Sequence, residues 1–144
     1  MFVCHGNICR SPMAEFVMKN LVEKAGLSEY YHIESCATSQ EEIGNPVYPP
    51  AKRELAKHGI SCSNKTARQL KKSDWKEYDF FVGMDDWNVS NMVKILGTKQ
   101  KVQKLLKSAD VADPWYTGNF EKTYKDIENG CHILLNNTKS LLKN

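Results

Sequence analysis

Residues 1–12 constrain the fold of this chain more than any other stretch. Phe2 and Val3 favour a β-strand, whereas Ser11 followed by Pro12 is typical of the N-cap and first turn of an α-helix. The loop between them therefore ends at a helix N-terminus, where several backbone N–H groups can point inward and bind an anion. The stretch predicts a strand, an anion-binding loop and a helix in direct succession.

Two reactive side chains delimit this loop. Cys4 opens it and Arg10 closes it, with five residues between them. A thiolate is a nucleophile, and a guanidinium can hold two oxygens of one oxyanion. The inward N–H groups and Arg10 also stabilise negative charge on the sulfur of Cys4. The spacing therefore indicates nucleophilic chemistry on a phosphate-sized anion; the alternative interpretation is a buried strand cysteine beside an unrelated surface arginine.

The remainder of the chain alternates between helical and strand patterns. This order predicts an α/β fold with a single domain over residues 1–144. We expect a three-layer sandwich in which a four-stranded parallel sheet carries helices on both faces, with the strand at residues 101–106 at an edge. Helices are predicted over residues 13–25, 51–58, 86–96 and 120–141, and strands over residues 2–3, 30–35, 79–84 and 101–106.

Composition sets the broad class of protein and of partner. The formal net charge of +3 falls short of the basic stripe typical of nucleic-acid-binding proteins, so we expect no nucleic-acid partner. The apolar runs are too short to span a bilayer, and the N-terminus lacks a signal-peptide pattern, so we expect no membrane association. The odd number of cysteines, five, favours a reduced, cytoplasmic setting over a disulfide scaffold. We expect a monomer or a weak dimer.

A second candidate for chemistry is Asp113. The following proline restricts its backbone, and Trp115 and Tyr116 supply aromatic walls that can exclude water and stack on an aryl group. When a cysteine attacks a phosphate ester, the departing oxygen needs a proton, and a carboxyl group can supply it. Asp113 is the best candidate for this general acid. The alternative is an exposed turn, because Asp-Pro is common where turns begin.

Several segments resemble one known family. FVCHGNICRSPMAEF (residues 2–16) resembles the phosphate-binding loop of low-molecular-weight protein tyrosine phosphatases, and ADPWYTGNFEKTY (residues 112–124) resembles their general-acid loop. Further similarity lies in SCATSQEEIGNP, ARQL and YDFFVGMDDWN, at residues 35–46, 67–70 and 78–88. The resemblance covers nearly the whole chain in the family's order.

The resemblance implies hydrolysis of phosphotyrosine in proteins, or of small aryl phosphates, without a metal or a cofactor. Cys4 would form a phosphocysteine intermediate, Arg10 would stabilise the transition state, and Asp113 would protonate the leaving oxygen and then activate water. Asn7, Ser11 and Ser35 would support the loop. The phosphate-binding residues that it implies are His5, Gly6, Asn7, Ile8, Cys9, Arg10 and Ser11.

The chain departs from the family pattern behind the loop. A histidine expected to join Asn7 and Ser35, shortly before the ARQL segment, is absent, and Asn64 or Lys65 lies nearest to its position. The residue that replaces this support is left open by the sequence.

Further departures lie around the mouth of the loop. Glu41 occupies a rim position where relatives have an aromatic residue, so we expect a rim formed by Glu41, Trp115 and Tyr116 to favour peptides with neutral or basic flanks. His5 stands where the family signature usually has an apolar residue. Its side chain either faces solvent or influences the pH dependence of the site. Cys9, five residues after Cys4, is a candidate redox partner that could form a protective disulfide with it.

Two other functions are compatible with parts of the pattern. Thioredoxin-linked arsenate reductases resemble this family and share the anion loop, but they need two further cysteines as a relay. No cysteine lies between Cys62 and Cys131. A non-catalytic phosphate-binding module would need no acid such as Asp113. Both observations favour a phosphatase.

Overall fold

The structure, a computed structural model, describes residues 1–142 and contains a four-stranded parallel sheet. In spatial order its strands are β2 (Ser35–Ala37), β1 (Phe2–Cys4), β3 (Phe81–Gly83) and β4 (Val102–Lys104). The register pairs Cys4 with Ala37, so the nucleophile candidate lies at the carboxyl end of an interior strand. The predicted parallel sheet is confirmed, with residues 101–106 contributing its edge.

Helices cover both faces of this sheet. They are α1 (Arg10–Lys24), α2 (Pro49–Lys57), α3 (Asp86–Leu96), α4 (Pro114–Thr117) and α5 (Phe120–Lys139), with 3₁₀ turns at Ser28–Tyr30, Lys72–Lys76 and Ser140–Leu142. Phe2 belongs to a core shared with α1, α2 and α5, whereas Val3 belongs to a core shared with α3, because successive strand residues point to opposite faces. The three-layer prediction is confirmed. Among residues 1–142, no helix combines the length and apolarity needed to cross a membrane.

The start of α1 differs from the prediction. Ser11 is predicted as the N-cap, but the helix begins at Arg10 and Cys9 occupies the N-cap position. The side chain of Ser11 is fully buried, and its Oγ lies 3.0 Å from Cys4 Sγ. The helix begins earlier because the anion loop, rather than the helix end, uses the Ser11 hydroxyl.

The second strand also differs from the prediction. Residues 31–34 are irregular, and the strand begins only at Ser35. Tyr31 and Ile33, which suggested a strand, instead pack against the core from a loop. The small residues of β2 fit between β1 and a neighbouring segment, where the Ala37 N–H donates to the Arg68 carbonyl at 2.7 Å. The prediction of a strand over residues 30–35 was therefore wrong in position.

Gly130 lies in the middle of α5, where a glycine lowers helix stability. A Cβ atom at this position would lie 2.5 Å from Cγ of Leu105, far inside van der Waals contact. Leu105 directly follows β4, and its N–H donates to the Gly83 carbonyl at 2.9 Å. The glycine therefore allows α5 to approach the end of the sheet closely.

Candidate active site

The loop between β1 and α1 surrounds the sulfur of Cys4 with donors. The backbone N–H groups of Asn7 and Ser11 donate to Cys4 Sγ over 3.3 and 3.4 Å, and Ser11 Oγ lies 3.0 Å away. Three donors directed at one sulfur favour its negative charge. The loop residues and the acid loop together line a cavity of about 240 Å³, bordered by Cys4, His5, Gly6, Ile8, Cys9, Arg10, Glu41, Glu42, Asp113, Trp115 and Tyr116.

Arg10 closes the loop and is anchored by three acceptors. Its Nη1 donates to Asp85 Oδ2 at 2.8 Å and to the Val111 carbonyl at 3.0 Å, and its Nη2 donates to Asp113 Oδ2 at 3.3 Å. Burial alone would lower the pKa of Arg10, but the charges of Cys4, Asp85 and Asp113 outweigh it and raise that pKa. The guanidinium is therefore a permanent cation in a fixed orientation.

Asp113 lies at the N-cap of α4. Its Oδ1 accepts the Trp115 N–H at 3.0 Å, and Pro114 begins the helix. Its other oxygen, Oδ2, accepts a hydrogen bond from Arg10 Nη2 at 3.3 Å, in the cavity that Cys4 also lines. Sequence analysis predicted no helix here, although Asp followed by Pro is a common helix start. The carboxyl group, the guanidinium and the sulfur are thus brought to one cavity.

Aromatic and acidic side chains both line the mouth of the cavity. Trp115 packs against Tyr48 with ring centroids 5.1 Å apart, and Tyr116 is 84% exposed. Among the polar lining residues, His5 Nε2 and Glu41 Oε2 are 2.9 Å apart, and both side chains are exposed. The cavity therefore combines acidic side chains with aromatic rings, and the rings suit a flat aryl group.

The predicted loop-supporting residues lie together behind the sulfur. Asn7 adopts a left-handed backbone with φ of 61°, a conformation that asparagine tolerates better than most residues. Its Nδ2 donates to Ser11 Oγ at 2.7 Å and to Ser35 Oγ at 2.9 Å. Of the two residues nearest to the expected histidine, Lys65 reaches this network, since its Nζ donates to the Ser35 carbonyl at 2.7 Å.

The five cysteines are all buried free thiols. Cys9 lines the same cavity as Cys4, and burial, reinforced by the charges of Cys4 and Asp113, raises the pKa of Cys9 to about 12. Cys9 therefore stays protonated near neutral pH. Cys36 and Cys131 are fully enclosed by the two cores, which fits a packing role.

Sequence reasoning missed several residues that touch the site. The sequence placed Asp85 at the carboxyl end of an interior parallel strand, where ligands bind, but it did not predict the contact of this carboxylate with Arg10. Glu15 accepts the Ser35 hydroxyl, and Tyr48 supports Trp115. Glu15 lies close along the chain in α1, but its partner Ser35 is 20 residues away, and Tyr48 is more than sixty residues from Trp115.

Comparisons with known proteins agree with this geometry. The family described as "Low molecular weight phosphotyrosine protein phosphatase" matches residues 1–144. The low molecular weight protein-tyrosine-phosphatase YfkJ of Bacillus subtilis is 38% identical over 143 residues, covering 94% of this chain and 92% of that protein. The low molecular weight phosphotyrosine protein phosphatase of Homo sapiens is 38% identical over 149 residues, with the same coverage of 94% and 92%.

Solved structures show the same architecture. The crystal structure of YfkJ from Bacillus subtilis aligns with a TM-score of 0.95 at 35% identity, covering 99% of this chain and 94% of that one. The low molecular weight protein tyrosine phosphatase of Streptococcus pyogenes aligns with a TM-score of 0.88 at 40% identity, covering 94% of this chain and 89% of that one. The chain belongs to the low molecular weight phosphotyrosine protein phosphatase family.

Proposed function

We propose that this enzyme hydrolyses phosphotyrosine in proteins or peptides, and other aryl phosphate monoesters, through a phosphocysteine intermediate on Cys4. The observation that carries the proposal is the single cavity lined by Cys4, Arg10 and Asp113. A nucleophile, a bidentate cation and a proton donor are the three groups that such a reaction needs. Residues 1–144 would act as one phosphatase domain.

In the first step, the sulfur of Cys4 attacks phosphorus as the bond to the aryl oxygen breaks. The N–H groups of residues 5–11 and the fork of Arg10 hold the three equatorial oxygens, where charge develops in the transition state. A protonated Asp113 gives its proton to the departing oxygen, so the leaving group is a neutral phenol. The products of this step are the phenol and phosphocysteine.

In the second step, water attacks the phosphocysteine. Asp113, now a carboxylate, accepts a proton from the water, and the sulfur of Cys4 leaves as a thiolate. The hydroxyl of Ser11, 3.0 Å from that sulfur, stabilises the departing charge. Inorganic phosphate then leaves the loop.

We infer that the rim selects substrates by charge. Glu41 and Glu42 line the same cavity as Trp115, and His5 contacts Glu41 alone of these two carboxylates. Phosphotyrosine peptides with basic or neutral flanks should therefore be hydrolysed faster than peptides with acidic flanks. Equal kcat/KM values for matched acidic and basic phosphopeptides would contradict this preference.

The test is hydrolysis of an aryl phosphate at mildly acidic pH. We expect Cys4→Ser to abolish turnover and Asp113→Asn to lower kcat strongly. Asp110→Asn is the matched control, since Asp110 lies three residues earlier but pairs with Lys104 at the surface, and it should keep wild-type kcat. A burst of phenol with radiolabelled phosphate on Cys4 would identify the intermediate.

The same assay separates the rival functions. An arsenate reductase would consume thioredoxin with arsenate and would not depend on Asp113. A binding module would retain inorganic phosphate without releasing phenol from an aryl phosphate. Either result in the wild-type protein would overturn the proposal.

We also propose a cytoplasmic location and a monomeric or weakly dimeric state. The five buried free thiols support a reducing compartment, because disulfides form and persist in oxidising ones. Sedimentation of the purified chain at several concentrations would test the oligomeric state.

A further inference from the structure

A buried carboxylate, Glu15, lies behind the anion loop and outside the cavity. It is 4% exposed, and it accepts hydrogen bonds from Ser35 Oγ and from Lys19 Nζ, each at 2.6 Å. Lys65 Nζ lies 3.6 Å from Glu15 Oε1 and also donates to the Ser35 carbonyl at 2.7 Å. Burying a carboxylate is costly without a compensating charge, and two lysines supply that charge here.

The charge of Glu15 fixes the direction of the neighbouring hydrogen bonds. An ionised carboxylate only accepts, so the Ser35 hydroxyl donates to Glu15. The Ser35 oxygen then accepts from Asn7 Nδ2. The side-chain amide of Asn7 is held in this orientation and is not flipped, because its Oδ1 accepts the Arg68 N–H at 3.3 Å.

The same order continues to the sulfur of Cys4. Asn7 Nδ2 donates to Ser11 Oγ at 2.7 Å, so the proton of the Ser11 hydroxyl is free for another acceptor. Cys4 Sγ lies 3.0 Å from that hydroxyl, nearer than the Cys36 carbonyl at 3.4 Å. One unbroken series of donors and acceptors therefore joins the buried charge to the nucleophile.

We propose that Lys65 is a positioning residue for the anion loop. Its ammonium faces Glu15 at 3.6 Å and also donates to the Ser35 carbonyl, so it holds both groups in place. The order of donors and acceptors that follows directs the Ser11 hydroxyl at the sulfur of Cys4. This inference rests on the proposed function, since it concerns the nucleophile of that reaction, and it assigns to a lysine the support expected from a histidine.

Lys65 differs from Lys19, the other cation on Glu15, in two ways. The side chain of Lys65 is 13% exposed whereas that of Lys19 is 44% exposed, so water screens Lys19 more strongly. Lys65 also contacts the Ser35 carbonyl. A third cation, Arg68, is engaged by Asp74 through two hydrogen bonds of 3.0 and 3.1 Å. The two lysines therefore form a matched pair for mutation.

The first experiment compares steady-state hydrolysis of an aryl phosphate by Lys65→Met and Lys19→Met. Small displacements of a catalytic loop slow chemistry more than they weaken binding, so we expect Lys65→Met to lower kcat about tenfold with little change in KM. Lys19→Met should keep wild-type kcat, and Lys65→Arg should restore most of the lost rate. Wild-type kcat in Lys65→Met, or an equal loss in both methionine variants, would overturn the inference.

The second experiment does not depend on turnover. Alkylation of Cys4 by iodoacetamide, followed by mass spectrometry across a pH series, reports how readily the sulfur becomes a thiolate. Losing the Ser11 hydrogen bond should move the midpoint of the Lys65→Met profile upward by about one pH unit, whereas Lys19→Met should keep the wild-type midpoint. An unchanged Lys65→Met profile would refute the role of Lys65.

The two proposals fail in distinguishable ways. A wild-type protein that shows no aryl phosphatase activity would refute the proposed function, while the alkylation profiles would still test Lys65. An active wild-type protein with unchanged Lys65→Met alkylation would refute the role of Lys65 alone.

A second variant keeps the test decisive if Lys65→Met does not fold. Lys65→Gln retains a donor for the Ser35 carbonyl but removes the charge, and it should show the same upward movement of the alkylation midpoint. On a Ser35→Ala background, Lys65→Gln should add no further change, because the series of hydrogen bonds is already broken. Additive effects of the two substitutions would contradict the inference.

Discussion

At the scale of single residues, the orientation of Arg10 depends on Asp85, the N-cap residue of α3. Asp85 Oδ1 also caps α3, where it accepts the Asn88 N–H at 2.7 Å. One carboxylate thus fixes both a helix end and the guanidinium. The contribution to α3 can be separated from the contribution to catalysis, because asparagine is an equally good N-cap.

We expect Asp85→Asn to keep the unfolding temperature but to lower kcat/KM for aryl phosphates about tenfold, because a charge-assisted hydrogen bond to Arg10 is lost. Asp86→Asn is the control, since Asp86 is 83% exposed at its side chain and contacts only Lys104 among the described charged groups. Steady-state kinetics and thermal melts of both variants provide the measurement. An equal loss of kcat/KM in Asp86→Asn would show instead that the effect comes from the surface charge at the start of α3.

Cys9 gives a second prediction at this scale. Peroxide oxidises the Cys4 thiolate to a sulfenic acid; the Cys9 sulfur then gives up its proton as it attacks that sulfur, a disulfide forms and the hydroxyl group leaves as water. We expect peroxide-treated wild-type enzyme to regain activity with dithiothreitol, whereas Cys9→Ser stays inactive. Cys62→Ser, remote from the cavity, should behave as the wild type.

Mass spectrometry of Cys4 supplies the decisive readout for this redox step. Cysteine sulfonic acid on Cys4 in the wild type, at the dose that inactivates it, would contradict the protective disulfide.

The residues of the site differ in how far sequence could predict them. Cys4 and Arg10 share one short loop, so their spacing alone placed them together. Asp113 was identified from the chemistry of its neighbours and does line the same cavity. Lys65 and Asp85 could not be assigned contacts from sequence, because their partners lie between 30 and 75 residues away along the chain.

At the scale of elements, Gly130 allows α5 to pack closely against Leu105, the residue that follows β4. Helix propensity alone favours Gly130→Ala by about 1 kcal/mol. The contact with Leu105 reverses this sign, and overpacking of this kind costs about 1–3 kcal/mol. We expect Gly130→Ala to lower the free energy of unfolding, measured by urea titration.

Leu105 provides the control for this prediction. Replacing Leu105 by alanine opens a space where the added methyl group can fit. The double variant should therefore lose less free energy of unfolding than the two single variants lose together. A Gly130→Ala protein that is more stable than the wild type would show that α5 shifts without cost.

The elements that sequence placed well are those whose pattern is local. α3 ends at Gly97, which adopts the left-handed conformation that glycine permits, and its predicted end at Leu96 is confirmed. β2 was misplaced because its position depends on pairing with Phe2–Cys4 and on the segment at Arg68. Such pairing overrides the β propensity of Tyr31 and Ile33.

At the scale of the whole molecule, buried weak acids link stability to alkaline pH. Burial raises the pKa of Cys36 to about 12 from an ordinary value of 9.0. Burial, assisted by the charge of Glu128, raises the pKa of Tyr124 to about 12 from 10.0. The folded protein keeps these protons after the unfolded chain has lost them, so stability falls as pH rises.

We expect the unfolding temperature to decline between about pH 9 and 12, as measured by circular dichroism. Tyr124→Phe removes one of the titrating groups, and its decline above about pH 10 should be shallower. A level profile through this range in the wild type would contradict the linkage.

The contact between Arg10 and Asp113 gives the resting enzyme an internal competitor for its substrate. A phosphate that enters the loop meets the carboxylate of Asp113 on the same guanidinium nitrogen, so the measured affinity for an oxyanion includes competition with that negative charge. Removing the charge of Asp113 should therefore tighten the binding of inorganic phosphate even as turnover collapses. Affinity and rate would then move in opposite directions in the same variant.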